Sequence, residues 1–224
     1  MLASLVLGKI ASTSLVTGHV AKVMTKSMHI CIESRRAWDA PVDISPQAKV
    51  ELQFWLDNLE KANEAKVGTL HEHSRVVYSD ASNTGYGGYV VELANDKAQG
   101  AWDTNQSKKS STGKELTAVD LVLKSFMGKL SDRRTKWFTD NQAVARIVAH
   151  GSMNPEIQEI ALSICQTCLK NNIHIDMEWI PRSQNQIADM LSRQMDRDDW
   201  GASHQVFSFI DELWGPHTVD RFAT

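Results

Sequence analysis

Residues 76–91 read VVYSDASNTGYGGYVV, and no other stretch limits the fold of this chain as strongly. Valine and tyrosine favour the pleated backbone, side chains alternate with a period of two, and SNTG is a turn sequence. The spacing therefore predicts a strand from Arg75 that puts Val76, Tyr78 and Asp80 on one face, then a hairpin partner over 86–93. Asp80 is the anomaly in this pattern. An aspartate is disfavoured within a strand because its carboxylate competes for backbone hydrogen bonds and resists burial. Taken alone, it reads about equally well as a turn residue bonding the backbone ahead of SNTG.

Elsewhere the apolar pattern changes period. Residues 1–36 carry scattered Leu, Val, Ile and Met without turn clusters and read as helical, with Gly8 and Gly18 as breaks. Ser45 and Pro46 form a cap and a first-turn proline. They open a helix to about Asn63 in which Leu52, Trp55, Leu56 and Leu59 recur at helical spacing. A third strand is predicted over 98–104. A helix marked at its start by Thr112 follows, with Leu116, Val119, Leu123, Phe126, Met127 and Leu130 at three- and four-residue steps. The run TKWFT (135–139) reads as a buried strand. Helices follow from about Asn141 and over 154–170, then a strand HIDMEWI from His174 and a last helix over 184–194. The order β-β-β-α-β-α-α-β-α argues for an α/β fold with a mixed sheet flanked by helices.

Composition removes several classes. The length of 224 residues accommodates one or two domains, and a net charge of −3 gives no global signature of nucleic-acid binding, so such binding would need a local basic patch. Three cysteines do not suggest a disulfide framework, and the start of the chain lacks the pattern of a secretory signal. These features predict an intracellular protein of the cytoplasm or nucleus, not a secreted one. No apolar run reaches the roughly 20 residues of a membrane span.

Four acids fall at element boundaries, where sites form in such sheets: Asp80, Glu115, Asp140 and Asp189. Each has a structural reading of its own besides. Thr112-x-x-Glu115 matches a capping box, Asp140 stands where an N-cap aspartate belongs, and Asp189 lies opposite Ile187, Met190, Leu191 and Gln194 on a solvated helix face. Together they have one shared use. Carboxylates from two strands and two helices suit hard divalent cations bound through oxygen, and a two-ion site for phosphate chemistry needs bridging and terminal carboxylates, not His or Cys.

The motifs SDASNTGYGGYV, GKELTAV, FTDNQAV and NQIADMLSR, in this order over residues 75–194, resemble an RNase H domain of the retroelement type. The resemblance extends outward. LGKIASTS, HICIESRRAW and SPQAKVELQFWLDNL are similar to the thumb or connection region of a reverse transcriptase. RDDWGASHQVFSFIDELWGPHTVDRFAT is similar to the segment after RNase H in DIRS-type, tyrosine-recombinase retrotransposons. It implies three parts: a helical region over 1–72, an RNase H-like domain over 73–195 with a five-stranded mixed sheet (antiparallel meander, then parallel strands), and a C-terminal extension over 196–224.

For function, the resemblance implies a ribonuclease H that cuts the RNA strand of RNA–DNA hybrids using two magnesium ions, with manganese as the alternative. Asp80, Glu115 and Asp140 would bind the metals, and Asp189 would complete the second site. Ser82, Asn141, Arg182 and Asn185 are the implied contacts to the hybrid, which such domains read by shape and by its 2′-hydroxyls. Gly87 and Gly88 would keep the second strand slim, with room for a nucleic-acid backbone beside it. The polymerase part of a reverse transcriptase is the implied protein partner. One departure stands out: the connection PRSQNQ before the last helix lacks the histidine that many cellular members carry there. Together with the acidic net charge and the missing polymerase motifs, it leaves open a catalytically silent nucleic-acid-binding or scaffold fragment. A different nuclease or integrase of the same fold would space its acids differently.

Other features read more simply. Cys165 and Cys168 form a single CxxC inside a helix and lack the second ligand pair of a zinc site, which favours packing. His71 and His73 read as solvated, Trp137 as core, and Trp102 as core or a stacking platform. Lys108, Lys109, Lys114, Arg133, Arg134 and Lys136 are either phosphate contacts or an ordinary charged surface.

Overall fold

The computed structural model describes residues 2–37, 40–63, 73–93, 96–194 and 204–215. Its centre is a five-stranded sheet of β1 (Arg75–Ala81), β2 (Gly85–Val90), β3 (Lys97–Ala101), β4 (Arg134–Thr139) and β5 (His174–Trp179), in the order β3-β2-β1-β4-β5. The first three strands form an antiparallel meander, while β1–β4 and β4–β5 run parallel. This is the expected mixed RNase H-like sheet. The β3 strand stops short of the predicted 98–104. Trp102 keeps its backbone bond to the Thr84 carbonyl at 3.0 Å but turns its indole N–H to the Ser82 carbonyl at 2.9 Å, and the Asp103 carboxylate accepts the Asn105 and Gln106 N–H groups ahead of a short 3-10 turn over Gln106–Lys108. The β2 strand likewise ends at Val90, with a turn following.

Among the described residues, five helices precede the sheet: α1 (Leu2–Ser12), α2 (Ser14–Thr17), α3 (His19–Val23), α4 (Lys26–Glu33) and α5 (Pro46–Asn63). Gly18, with φ of 60°, separates α2 from α3 as predicted, but Gly8 lies inside α1 and breaks nothing. A lone helical glycine costs only about 1 kcal/mol, and its neighbours Leu7 and Ile10 are buried. In α5 the Ser45 hydroxyl accepts the Ala48 N–H as the cap. The buried stripe there is Ala48, Glu51 and Trp55, whereas Leu56 and Leu59 of the predicted stripe face solvent at 78% and 51% exposure.

After the meander come α6 (Ser111–Ser125), α7 (Met127–Leu130), α8 (Gln142–His150), α9 (Pro155–Lys170), α10 (Gln186–Arg193) and α11 (His204–Trp214). The predicted single helix through Leu130 is two, because the backbone turns at Phe126. Before α10, residues Arg182–Gln184 form a 3-10 turn, so the predicted last helix starts later. Its burial also differs from the predicted pattern: Ala188, Leu191 and Ser192 are buried, while Ile187 and Met190 are about half exposed. Helix α11 was not foreseen. His71 lies outside the described residues.

The described residues hold a large apolar core and a second, smaller cluster of Leu7, Met28, Cys31 and Ala48. In the large one, Val77, Val90, Leu116, Val119, Leu123, Trp137 and Leu162 pack with Ile10, Val23, Met24 and Trp55 of the N-terminal helices. Trp137 is fully buried, as expected, and its indole donates to the Ser79 hydroxyl at 2.9 Å. A buried polar knot also ties the two ends of this core. The Glu51 carboxylate accepts the N–H groups of Ser27 and Met28 at the start of α4, at 2.8 and 3.0 Å, and the Gln158 amide of α9 donates to the Val23 carbonyl. Gln158 Oε1 accepts the Ser152 N–H in turn. Burial pushes the Glu51 carboxyl up, and its hydrogen bonds oppose the shift. The three cysteines are free, and burial pushes the Cys165 and Cys168 thiols up to about 12, consistent with packing. Among the described residues no helix is long and apolar enough to cross a membrane.

Candidate metal centre

Asp80 lies opposite Gly87 on the sheet face shared by Tyr78, Tyr89 and Phe138, and is 2% exposed. Glu115 enters from α6. The cap of that helix is Ser110, whose hydroxyl accepts the Gly113 N–H at 3.1 Å, and not Thr112. The capping-box reading of Glu115 is thereby removed. Its carboxyl accepts a hydrogen bond from the Ala81 backbone instead. Asp140 follows β4, and it too is spared from capping. Asn141 Oδ1 accepts the Ala143 and Val144 N–H groups, so Asn141 is the cap of α8. The Trp179 indole donates to the Asp140 carbonyl at 2.9 Å and fixes the backbone there.

Two strand ends and a helix thus bring one oxygen each of Asp80, Glu115 and Asp140 within 4.8 Å of one another. Like charges in a desolvated place resist ionisation. Burial, then the charges of Asp80 and Asp140, push Glu115 up to about 9. Burial, with smaller effects of Asp140 and Asp189, pushes Asp80 up to about 6, against a lowering hydrogen bond from Ser192. Asp140 is raised as well, mainly by burial. A three-carboxylate set without His or Cys fits a hard, oxygen-seeking divalent cation of the magnesium or manganese kind, and such a charge would remove the repulsion that raises these groups.

Asp189 stands beside this trio on the first turn of α10 and is not one of the three converging acids. Two guanidinium groups hold it. Arg193 donates to both of its oxygens at 2.9 and 3.0 Å, and Arg182 pairs with Oδ1. Hydrogen bonds from Arg193 and Arg182 keep its carboxyl below the usual range. The other implied contacts differ in access. Arg182 is exposed. Ser82 is engaged in the turn, accepting the Thr84 and Gly85 N–H groups and donating to the Ser192 carbonyl. Asn185 is 1% exposed and donates to the Ser79 carbonyl at 3.0 Å, with its Oδ1 unpartnered.

The glycines serve the protein itself. A Cβ on Gly87 would meet Ser192 N at 2.4 Å and Leu191 Cβ at 2.5 Å, and one on Gly88 would meet Val122 Cγ2 at 2.6 Å. Room beside β2 is filled by α10 on one face and α6 on the other, not by a nucleic-acid backbone. Among the basic residues, Lys109 donates to the Thr117 hydroxyl, Arg134 pairs with Asp176 and Lys136 with Glu178. His73 is not simply solvated, for it bonds Asp176 at 2.5 Å. Ser192 is a residue of this centre that the acid motifs alone do not single out. Its signal was its place three residues after Asp189, one turn along the same helix.

Residues 73–195, just over half of the chain, match the reverse-transcriptase-like family, and the chain belongs to it. No curated protein matches it in sequence. Among solved structures it is similar to LC11-RNase H1 in complex with an RNA/DNA hybrid, at 18% identity and a TM-score of 0.46, over 53% of this chain and 93% of that one. It is similar also to the N-terminal RNase H domain of a Mycobacterium tuberculosis protein, at 18% identity and a TM-score of 0.45, over 52% of this chain and 94% of that one. A third is the foamy viral protease-reverse transcriptase in complex with an RNA/DNA hybrid, at 16% identity and a TM-score of 0.41. There the match spans 76% of this chain and 27% of that one.

Proposed function

We propose that this chain is a metal-dependent ribonuclease H that hydrolyses the RNA strand of RNA–DNA hybrids, in a polypeptide derived from a DIRS-type retrotransposon. The single observation that carries the reading is the convergence of Asp80, Glu115 and Asp140 from three separate elements on one point. In the same reading, residues 1–72 are a reverse-transcriptase thumb or connection region, 73–195 the nuclease domain and 196–224 the start of a following segment. The polymerase part of the reverse transcriptase is the protein partner.

Asp80, Glu115 and Asp140 would hold the ions, with Asp189 available to a second one once Arg182 and Arg193 let it go. Magnesium or manganese held there supplies an activated water and charge neutralisation at the scissile phosphate. Water adds to phosphorus and the bond to the 3′-oxygen breaks, leaving a 3′-hydroxyl and a 5′-phosphate. Arg182, exposed beside the acids, binds a backbone phosphate and aligns the strand; contacts to phosphate position a strand without reading its sequence.

The test is cleavage of an end-labelled hybrid by the purified chain with magnesium. Asp140→Asn removes one of three charged ligands. With several kcal/mol of charge stabilisation at stake, the rate should fall by about 1,000-fold or more. Absence of cleavage by the unaltered chain, or equal cleavage by Asp140→Asn, overturns the reading and leaves the silent binding module in its place.

A further inference from the structure

Ser192 lies in the motif NQIADMLSR but belongs to none of the four acids. It is 2% exposed, and its hydroxyl lies 2.7 Å from Asp80 Oδ2 and 2.9 Å from the Asp189 carbonyl one turn back. The bland reading is a serine bonding back to its own helix. A hydroxyl has one proton to donate, however, and a buried carboxylate is the stronger acceptor. Asp80 therefore takes it, and with Oδ2 held the carboxylate cannot rotate freely.

The position of Ser192 does not depend on that hydroxyl. Its carbonyl accepts the Ser82 hydroxyl at 2.5 Å, and its backbone nitrogen lies against Gly87, where a Cβ would come within 2.4 Å. Its neighbour Leu191 is buried. The helix that carries Asp189 is thus seated on β2 by backbone contacts, and from that seat one side chain reaches across to the acid of β1.

Resting on the metal-site reading above, we propose that Ser192 is a positioning residue of the centre. Its hydroxyl sets the rotation of the Asp80 carboxylate, and the seating of α10 on Gly87 thereby sets the affinity of the trio for its cation. Hydrogen-bond partners of metal-ligating carboxylates typically change metal affinity or activity by about 10–100-fold when removed.

The experiment titrates manganese into the full chain by calorimetry without substrate, for the unaltered protein and for Ser192→Ala. Manganese binding should weaken by about 10–100-fold, while the metal-free variant still melts cooperatively, about 2–8 °C below the parent, as the loss of one bond to a buried carboxylate requires. Placed on Asp80→Asn, the same substitution should cause no further weakening. In the hybrid assay kcat should fall at low magnesium and recover at high magnesium, with KM for the hybrid unchanged. Metal affinity within twofold of the parent, or an equal loss on Asp80→Asn, overturns the proposal. If Ser192→Ala does not fold, Ser192→Cys, of similar size and a weaker donor, must show the same loss in smaller degree. Should the chain bind manganese in this Ser192-dependent way yet cleave no hybrid, the nuclease reading fails and the positioning role stands. Should it bind no manganese, both fail.

Discussion

Glu115→Gln separates the two states of the centre. The carboxyl of Glu115 moves from an ordinary 4.5 when unfolded to about 9 in the folded protein, raised first by burial and then by Asp80 and Asp140. A raised pKa means that folding takes up a proton. The associated stability is fully present below pH 4.5 and drains away as pH climbs through 9. At pH 8 the interval already crossed is about 3.5 units, which at 1.36 kcal/mol each amounts to ~5 kcal/mol lost. Glutamine keeps the shape, carries no charge and lifts that cost. If at least ~2 kcal/mol survives side-chain adjustment, the metal-free variant should melt about 4–8 °C above the parent at pH 8. Well below pH 4.5 the two should melt together, because Glu115 is then protonated whether folded or unfolded, and at pH 4.5 itself the gap should be only a few tenths of a kcal/mol, about RT ln 2. Manganese should raise the parent's melting temperature at pH 8 and barely move that of Glu115→Gln. The assay is melting followed by circular dichroism, in chelator and in manganese, at pH 4.5, 6 and 8. A variant no more stable than the parent at pH 8, or a gap that does not close on acidification, refutes the reasoning.

Gly87→Ala should destabilise the protein by about 1–3 kcal/mol, the usual cost of overpacking, since its Cβ would lie 2.4–2.6 Å from the backbone and side chain of α10. Denaturant melts measure it, and stability equal to the parent would mean that α10 is not seated there. Gln158→Leu strands the Ser152 N–H and the Val23 carbonyl, at about 1–3 kcal/mol for each buried polar group left unpaired. The loss should appear as faster hydrogen exchange in α3 and α4, and unchanged exchange there would refute the tie.

Much of the fold was legible because it rests on local periodicity. The hairpin, the proline-led α5 and α9 and the strand–helix alternation all announce themselves in short windows. What the windows could not decide was which of two neighbouring candidates takes a role. Ser110 and Thr112 both suit a cap, as do Asp140 and Asn141, and the choice falls to the register between each helix and the sheet. That choice frees Glu115 and Asp140 to converge. Gly87 follows the same rule: what lies against its strand is set by a helix a hundred residues later, which local spacing does not show. The Arg193 half of the clamp on Asp189 is an i,i+4 pair that spacing offers, whereas the reach of Ser192 to Asp80 crosses elements between residues 112 positions apart, so spacing could put Ser192 beside Asp189 but not beside Asp80.

The knot at Glu51 has a consequence for how the chain is made. Gln158 and Val23 are 135 residues apart. A ribosome adding roughly 5–20 residues per second delivers the amide some 7–27 s after the carbonyl it will bond. Until α8 and α9 are made, the faces of α3 and α4 that pack on them stay open to water or to a chaperone. Helices α3 and α4 are therefore among the last of the described elements to settle, although they are made before the helix they pack on.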